Sequence, residues 1–286
     1  MARLLRSLFF VPGNNPRFIE KAKALPADVI CFDLEDSVPL NEKKSARNLI
    51  KKALTNRSEY KSEVYVRINS PVSGLISDDL LQIVQKGIDG IVIPKVNNVK
   101  ELKKIEKLLV AFEKKRRLSP IDLVPSIESA EGVVNTYSIA SSSLRAPFVV
   151  FGVFDLLNDL DIEYTKQADG AKYARAKIPL DAKAAGKYAV DAIWQDLNDK
   201  TGFEQDCTLG RNLGYVGKCV IHPDQISTVH DIFHPTKAEI EWAEKVCKVY
   251  VESTKKNRGA TVVEGKMIDE VHFKRAKALI DSVKNI

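Results

Sequence analysis

Residues 28–69 read DVICFDLEDSVPLNEKKSARNLIKKALTNRSEYKSEVYVRIN. Two short apolar and β-branched runs, 28–34 and 64–69, flank a stretch in which Ala46, Leu49, Ile50, Ala53 and Leu54 fall at i, i+3, i+4, i+7 and i+8. Continuous apolar runs of this length suit strands buried on both faces. The middle periodicity suits a helix with one side to pack. The segment is therefore expected to be strand, helix, strand, the unit from which parallel sheets are built.

The same alternation continues in both directions. Runs at 7–11, 90–95, 122–127, 148–153, 189–194 and 217–222 bring the expected strands to eight. Val99, Leu102, Ile105, Leu109 and Phe112 mark a further helix, and Ser77 or Asp78 is a candidate cap for a helix through Val84. Eight repeats in 286 residues suit an α/β fold of the closed (β/α)8 TIM-barrel type. A doubly wound open sheet is the alternative. It usually carries a glycine-rich phosphate loop after strand 1, where this chain has PGNNP at 12–16. Residues 1–235 are read as the barrel and 236–286 as a C-terminal helical extension. In the extension, helices at 237–253 and 269–283 are joined by a polar loop, KKNRGATVVEGKM, at 255–267. Its apolar face must pack on its own barrel or on a neighbouring subunit.

Composition narrows the classes. Lys and Arg number 44 against 38 Asp and Glu, a small excess scattered without aromatic interleaving, so no nucleic-acid partner is expected. It still favours an anionic ligand. No apolar run approaches the ~20 residues that span a bilayer, so no membrane is expected. Cys31, Cys207, Cys219 and Cys247 form no CxxC pair and read as free thiols of a reducing, cytoplasmic protein. The opening MARLLRSLFFVPG is interrupted by Arg6, and 7–11 reads as strand 1, which leaves no cleavable leader.

In a parallel barrel, chemistry sits at the C-terminal ends of the strands. There the chain places Asn14, the run Asp33-Leu34-Glu35-Asp36, Arg67 and Asn69, Lys95, Glu128, Asp155, Asp196 and His222. Charged groups are costly inside a barrel unless paired or bound to a ligand. Glu128 and Asp155, from adjacent strands, can form a hard oxygen site suited to Mg²⁺, or can pair with Lys95 or Arg67. Arg67 suits a substrate carboxylate or a developing enolate, or can partner the acidic run. Lys95 is expected to be charged and structural rather than a Schiff-base former. His230 and His234 stand four apart, but no third zinc ligand is in register.

The ordered segments RSLFFVPGNNP, CFDLEDSV, VYVRIN, GIVIPKV, LVPSIESAEG, VFGVFDL, GKCVIHPDQ and VVEGKMID span positions 6 to 269. Together they resemble the HpcH/HpaI aldolase superfamily, in its citrate lyase beta-subunit-like branch with the malyl-CoA and citramalyl-CoA lyases. The resemblance implies a TIM barrel with a helical extension, assembled as a homotrimer or hexamer. It implies Mg²⁺-assisted cleavage of a hydroxyacyl-CoA thioester to acetyl-CoA and a keto acid. It makes Glu128 and Asp155 the metal ligands and Glu35 and Asp36 an acidic pair at the site. Arg67 becomes the residue that grips substrate, with Gly152, Asp155 and Asn14 beside it. Asp269 becomes an acid delivered from a neighbouring subunit. The alternatives are a citrate lyase beta subunit acting on an acyl carrier protein thioester, a malyl-CoA thioesterase, and a barrel that only binds a ligand.

Overall fold

A computed structural model describes residues 5–255 and 257–283. The strands are β1 (Ser7–Pro12), β2 (Val29–Asp33), β3 (Glu63–Arg67), β4 (Gly90–Ile93), β5 (Asp122–Ile127), β6 (Phe148–Phe151), β7 (Tyr188–Asp191) and β8 (Gly217–Val220). Each pairs in parallel with the next, and β1 pairs with β8, so the sheet closes in sequence order. Most strands end earlier than their apolar runs suggest. The residues just past the strands, such as Leu34, Ile68 and Ala192, remain buried, and the chain there forms the rim.

Alternation along the strands divides the core. Leu8, Val29, Cys31, Tyr65, Val92, Val124, Val190 and Cys219 fill the barrel interior. Their neighbours Phe9, Ile30, Phe32, Val64, Val66, Ile91 and Leu123 pack outward beneath the helices. Fully burying one such side chain contributes ~1.5–3 kcal/mol. Interior packing leaves little room. Tyr65 is wholly buried with its hydroxyl donating to Asp122 at 2.8 Å, and a Cβ at Gly90 would stand 2.3 Å from its ring.

The barrel helices are α1 (Pro16–Ala22), α2 (Lys43–Thr55), α3 (Ile76–Ile83), α4 (Val99–Arg116), α5 (Ala130–Val134), α6 (Thr136–Ser141), α7 (Val153–Asp159), α8 (Lys172–Ala184), α9 (Lys200–Leu213) and α10 (Gln225–Phe233). Asn98 caps α4 through the amide of Glu101, and Ser129 caps α5 through that of Gly132. The start of α3 differs from the expected cap. Ser77 and Asp78 lie inside its first turn, and its N-cap position, Leu75, has no side-chain cap bond. Asp79 anchors that turn instead. It is fully buried and accepts from Arg47 at 2.6 Å and from Asn69 at 2.8 Å.

The chain divides into two compact units, Leu5–Phe233 and a second that begins at His234. The second unit contains α11 (Lys237–Thr254), opened by a Thr236–Glu239 capping box, and α12 (Glu270–Val283). The stretch expected to be a polar loop contains an antiparallel hairpin, β9 (Thr261–Val263) and β10 (Lys266–Ile268). Glu264 and Gly265 both have positive φ, the backbone a tight hairpin turn needs. Each short strand buries one apolar residue, Val263 or Ile268, against Ala243, Val246 and Tyr250, a signal too brief to read as alternation. Among the described residues, no helix is long and apolar enough to cross a membrane.

Candidate active site

A cavity of about 250 Å³ opens at the C-terminal ends of the strands, with Arg67, Glu128, Gly152 and Asp155 in its lining beside Phe10 and Phe154. Its charged floor begins with Asp33. Alternation from Val29 and Cys31 turns Asp33 into the barrel, and sheet register sets it opposite Arg67. The two form a bidentate pair, Nε to Oδ1 at 2.6 Å and Nη2 to Oδ2 at 2.8 Å. The guanidinium also lies 4.8 Å from the centre of the Phe10 ring. Burial works against the Asp33 charge, but Arg67 outweighs it and holds the carboxyl at about 2.

Arg67 therefore keeps Nη1 and one N–H of Nη2 for other partners. Nη1 lies 3.4 Å from Glu35 Oε2 and 3.9 Å from Asp36 Oδ2. Glu35 is drawn back over the strand end because its amide donates to Asp33 at 2.9 Å, while Lys43 Nζ holds the carbonyls of Leu34 and Glu35. Its Oε2 is buried without a hydrogen-bond partner. Burial pushes the Glu35 carboxyl up, Arg67 opposes this and Asp36 adds to it, giving about 7.

Glu128 follows β5 and is buried. Burial, and then the negative charge of Asp155, push its carboxyl up to about 8. Its Oε1 accepts the Lys95 amide at 2.6 Å. Gly152 is required beside it, since a Cβ there would stand 2.3 Å from Glu128 Oε2. Asp155 sits in the first turn of α7. Lys95 Nζ lies 3.3 Å from Asp155, 3.0 Å from Glu35 and 3.4 Å from Asp36. Burial disfavours that ammonium, but Glu35 and then Asp155 and Asp36 hold its pKa above the usual lysine range.

Five carboxylates thus meet two ion-paired cations, Arg67 and Lys95. Burial first, and then the neighbouring carboxylates Asp36 and Asp155, raise Glu35 and Glu128, and a hard divalent cation would stabilise their charged forms. Among the described residues, no three His, Cys, Asp or Glu side chains converge as a metal cage. Two carboxylates beside an open cavity suit Mg²⁺, which keeps waters or substrate oxygens in its remaining positions.

The structure brings Arg67, Glu128, Gly152 and Asp155 into one cavity lining, with Glu35 and Asp36 behind them on Arg67 and Lys95. Asn14 is engaged elsewhere, donating to Glu42 at 2.6 Å, and is not in the lining. Asp269 belongs to the C-terminal unit, 2.6 Å from His272 Nδ1. The side-chain bond from His272 holds that carboxyl below the usual range. His230 bonds Ser7 Oγ at 2.8 Å. Sequence reasoning placed Asp33 in the rim's acidic run, as a possible partner of Arg67, without a site role of its own, and left Phe10 out. Strand parity would have found both, because Asp33 shares a face with Cys31 and Phe10 with Leu8.

The family described as HpcH/HpaI aldolase/citrate lyase matches residues 6–223. A citrate lyase subunit beta of Leuconostoc mesenteroides subsp. cremoris is 36% identical over 280 residues, covering 97% of this chain and 93% of that one. A mitochondrial citramalyl-CoA lyase of Homo sapiens is 32% identical over 292 residues, covering 98% and 86%. The solved CitE protein of Mycobacterium tuberculosis, in complex with magnesium, acetoacetate and coenzyme A, superposes with a TM-score of 0.80 at 26% identity, covering 99% of this chain and 100% of that one. The chain belongs to the HpcH/HpaI aldolase/citrate lyase family of enzymes.

Proposed function

We propose that this enzyme is a Mg²⁺-dependent carbon–carbon lyase that reversibly cleaves a hydroxydicarboxylic acyl thioester, such as citramalyl-, malyl- or citryl-CoA, into acetyl-CoA and a keto acid. The observation that carries this reading is the pair of carboxylates Glu128 and Asp155 in one cavity lining with Arg67. Its support from relatives is the solved CitE protein with magnesium, acetoacetate and coenzyme A, and the citramalyl-CoA lyase.

Glu128 and Asp155 would hold the cation. A bound divalent ion supplies Lewis acidity toward the substrate hydroxyl and carboxylate. Arg67, locked on Asp33, presents Nη1 as a fixed donor for a negative oxygen and loses no freedom when that charge develops. Glu35, poised near neutrality by burial, can accept a proton at its unbonded Oε2. Asp36 supports the same corner through Lys95. Asp269 is the proposed acid for the enolate carbon, delivered from a neighbouring subunit of a homotrimer or hexamer. The two-unit chain (barrel 1–235, extension 236–286) serves that exchange. The enzyme acts in the cytoplasm in this reading.

A second reading has its own support, the 36% identity to a citrate lyase subunit beta. In it the thioester is carried by an acyl carrier protein.

The test is a product assay with Mg²⁺ and malyl-, citramalyl- or citryl-CoA, with EDTA and Glu128→Gln controls. Acetyl-CoA plus one keto acid, lost in both controls, is the expected result and names the substrate. Free CoA plus a hydroxy acid would make it a thioesterase. Turnover only of carrier-protein thioesters would establish the second reading, and no turnover of either kind would sink the lyase.

A further inference from the structure

Lys95 stands just beyond β4 with a left-handed backbone, φ 54°, uncommon for a residue with a side chain. Its amide meets Glu128 Oε1 at 2.6 Å. Its side chain runs along the rim to Asp155 at 3.3 Å, Glu35 at 3.0 Å and Asp36 at 3.4 Å. One residue therefore orients one of the two cavity carboxylates through its backbone and neutralises the other through its ammonium.

Arg67 does not share that work, because its Nε and Nη2 are closed on Asp33 and its Nη1 lies beside Glu35 and Asp36. An ammonium and a divalent cation on the same carboxylate repel strongly a few ångströms apart. Glu35 and Asp36 already hold the ammonium without Asp155, and lysine's flexible stem lets it settle there. Resting on the reading of Glu128 and Asp155 as a divalent-cation site, we infer that Lys95 is the resident counter-cation of the metal-free site. It cedes Asp155 when Mg²⁺ binds and so sets the divalent affinity. Lys95 acts here as a positioning residue, not a Schiff-base former.

The experiment is calorimetric titration of the full chain with Mg²⁺ alone, comparing wild type with Lys95→Met, Lys95→Arg and Glu128→Gln. Lys95→Asn, which tolerates the left-handed backbone, serves as a second charge-removing variant. Removing the ammonium is expected to tighten Mg²⁺ binding about tenfold, the scale of the repulsion between a unit and a divalent charge about 6 Å apart in a water-like dielectric. Lys95→Arg, which keeps the charge, is expected to bind as wild type does. A purely structural lysine would instead lower the melting temperature with unchanged or weaker Mg²⁺ binding, and that result overturns the inference. Wild-type binding abolished by Glu128→Gln but not tightened in either charge-removing variant sinks this inference alone. No Mg²⁺ binding by wild type, or equal binding by Glu128→Gln, sinks the metal-site reading with it.

Discussion

Two ionic clusters of the barrel unit are built to opposite accounts of charge. One lies in the sheet–helix layer. Lys218 on β8 meets Asp191 on β7 at 3.0 Å and Asp206 on α9 at 2.6 Å, while Arg175 on α8 donates to Asp191 at 3.1 Å and to Asp206 at 2.6 Å. Two cations face two carboxylates. Burial would raise the Asp206 carboxyl, yet Lys218 and Arg175 hold it below its ordinary range. The other cluster is the rim, where Arg67 and Lys95 face five carboxylates and where Glu35 and Glu128 are driven up to about 7 and about 8. A balanced cluster is complete in the folded chain and reads as structure. An unbalanced one is stable only while protons or a further cation make up the difference, and it reads as function.

The contrast fixes the sign of each expected change. Glu128→Gln is expected to reduce turnover by about 10³-fold, while the metal-free protein melts no lower than wild type, because burial and Asp155 already disfavour the Glu128 charge there. A large fall in melting temperature without metal would mean that Glu128 is a structural partner. Lys218→Met does the reverse. It leaves Asp191 and Asp206 undercompensated at a site where Lys218 is 1% exposed, and is expected to cost ~3–5 kcal/mol in urea unfolding. If that variant unfolds at the wild-type midpoint, the quartet is not the support that its geometry indicates.

Arg67→Lys tests the fork. A lysine cannot reproduce the bidentate pair with Asp33, so kcat is expected to fall about 10²-fold with a smaller change in KM. An unchanged kcat would remove Arg67 from the reacting atoms.

The smallest effect is with pH. Glu35 and Glu128 have folded values of about 7 and about 8, above an ordinary 4.5. Between those limits the folded chain holds protons that the unfolded chain has lost, so metal-free stability falls as pH rises from about 4.5 to about 8. Asp33, held at about 2, acts oppositely, and its contribution is lost only in strong acid. Thermal scans in EDTA from pH 5 to 8.5 should show the decline, and Mg²⁺ should recover more stability at pH 8.5 than at pH 5. A flat profile with an equal Mg²⁺ effect at both ends would contradict the charge excess at the rim.

Much of this was legible in one dimension. The eight strands follow from apolar runs such as 28–34 and 90–95, since two-sided burial demands continuous apolar sequence. The rim carboxylates follow from where those runs end. The hairpin at 261–268 was not legible, because three-residue strands with one buried side chain each leave no period to read. The position of Asn14 was not legible either. Its partner Glu42 lies 28 residues away, and nothing local distinguishes an amide bound to a helix start from one facing a ligand.

The sequence by itself determined the alternation of strand and helix, the number of strands and the residue types at their ends, because burial periodicity is a local property of the chain. Only the tertiary structure decided which of those charges are spent on one another. Arg67 is closed on Asp33 by sheet register, Lys95 is shared among Glu35 and Asp36 after β2 and Asp155 on α7, and Lys218 is sealed against Asp191 of β7 and Asp206 of α9. Charge balance is a sum over neighbours in space, and folding chooses those neighbours.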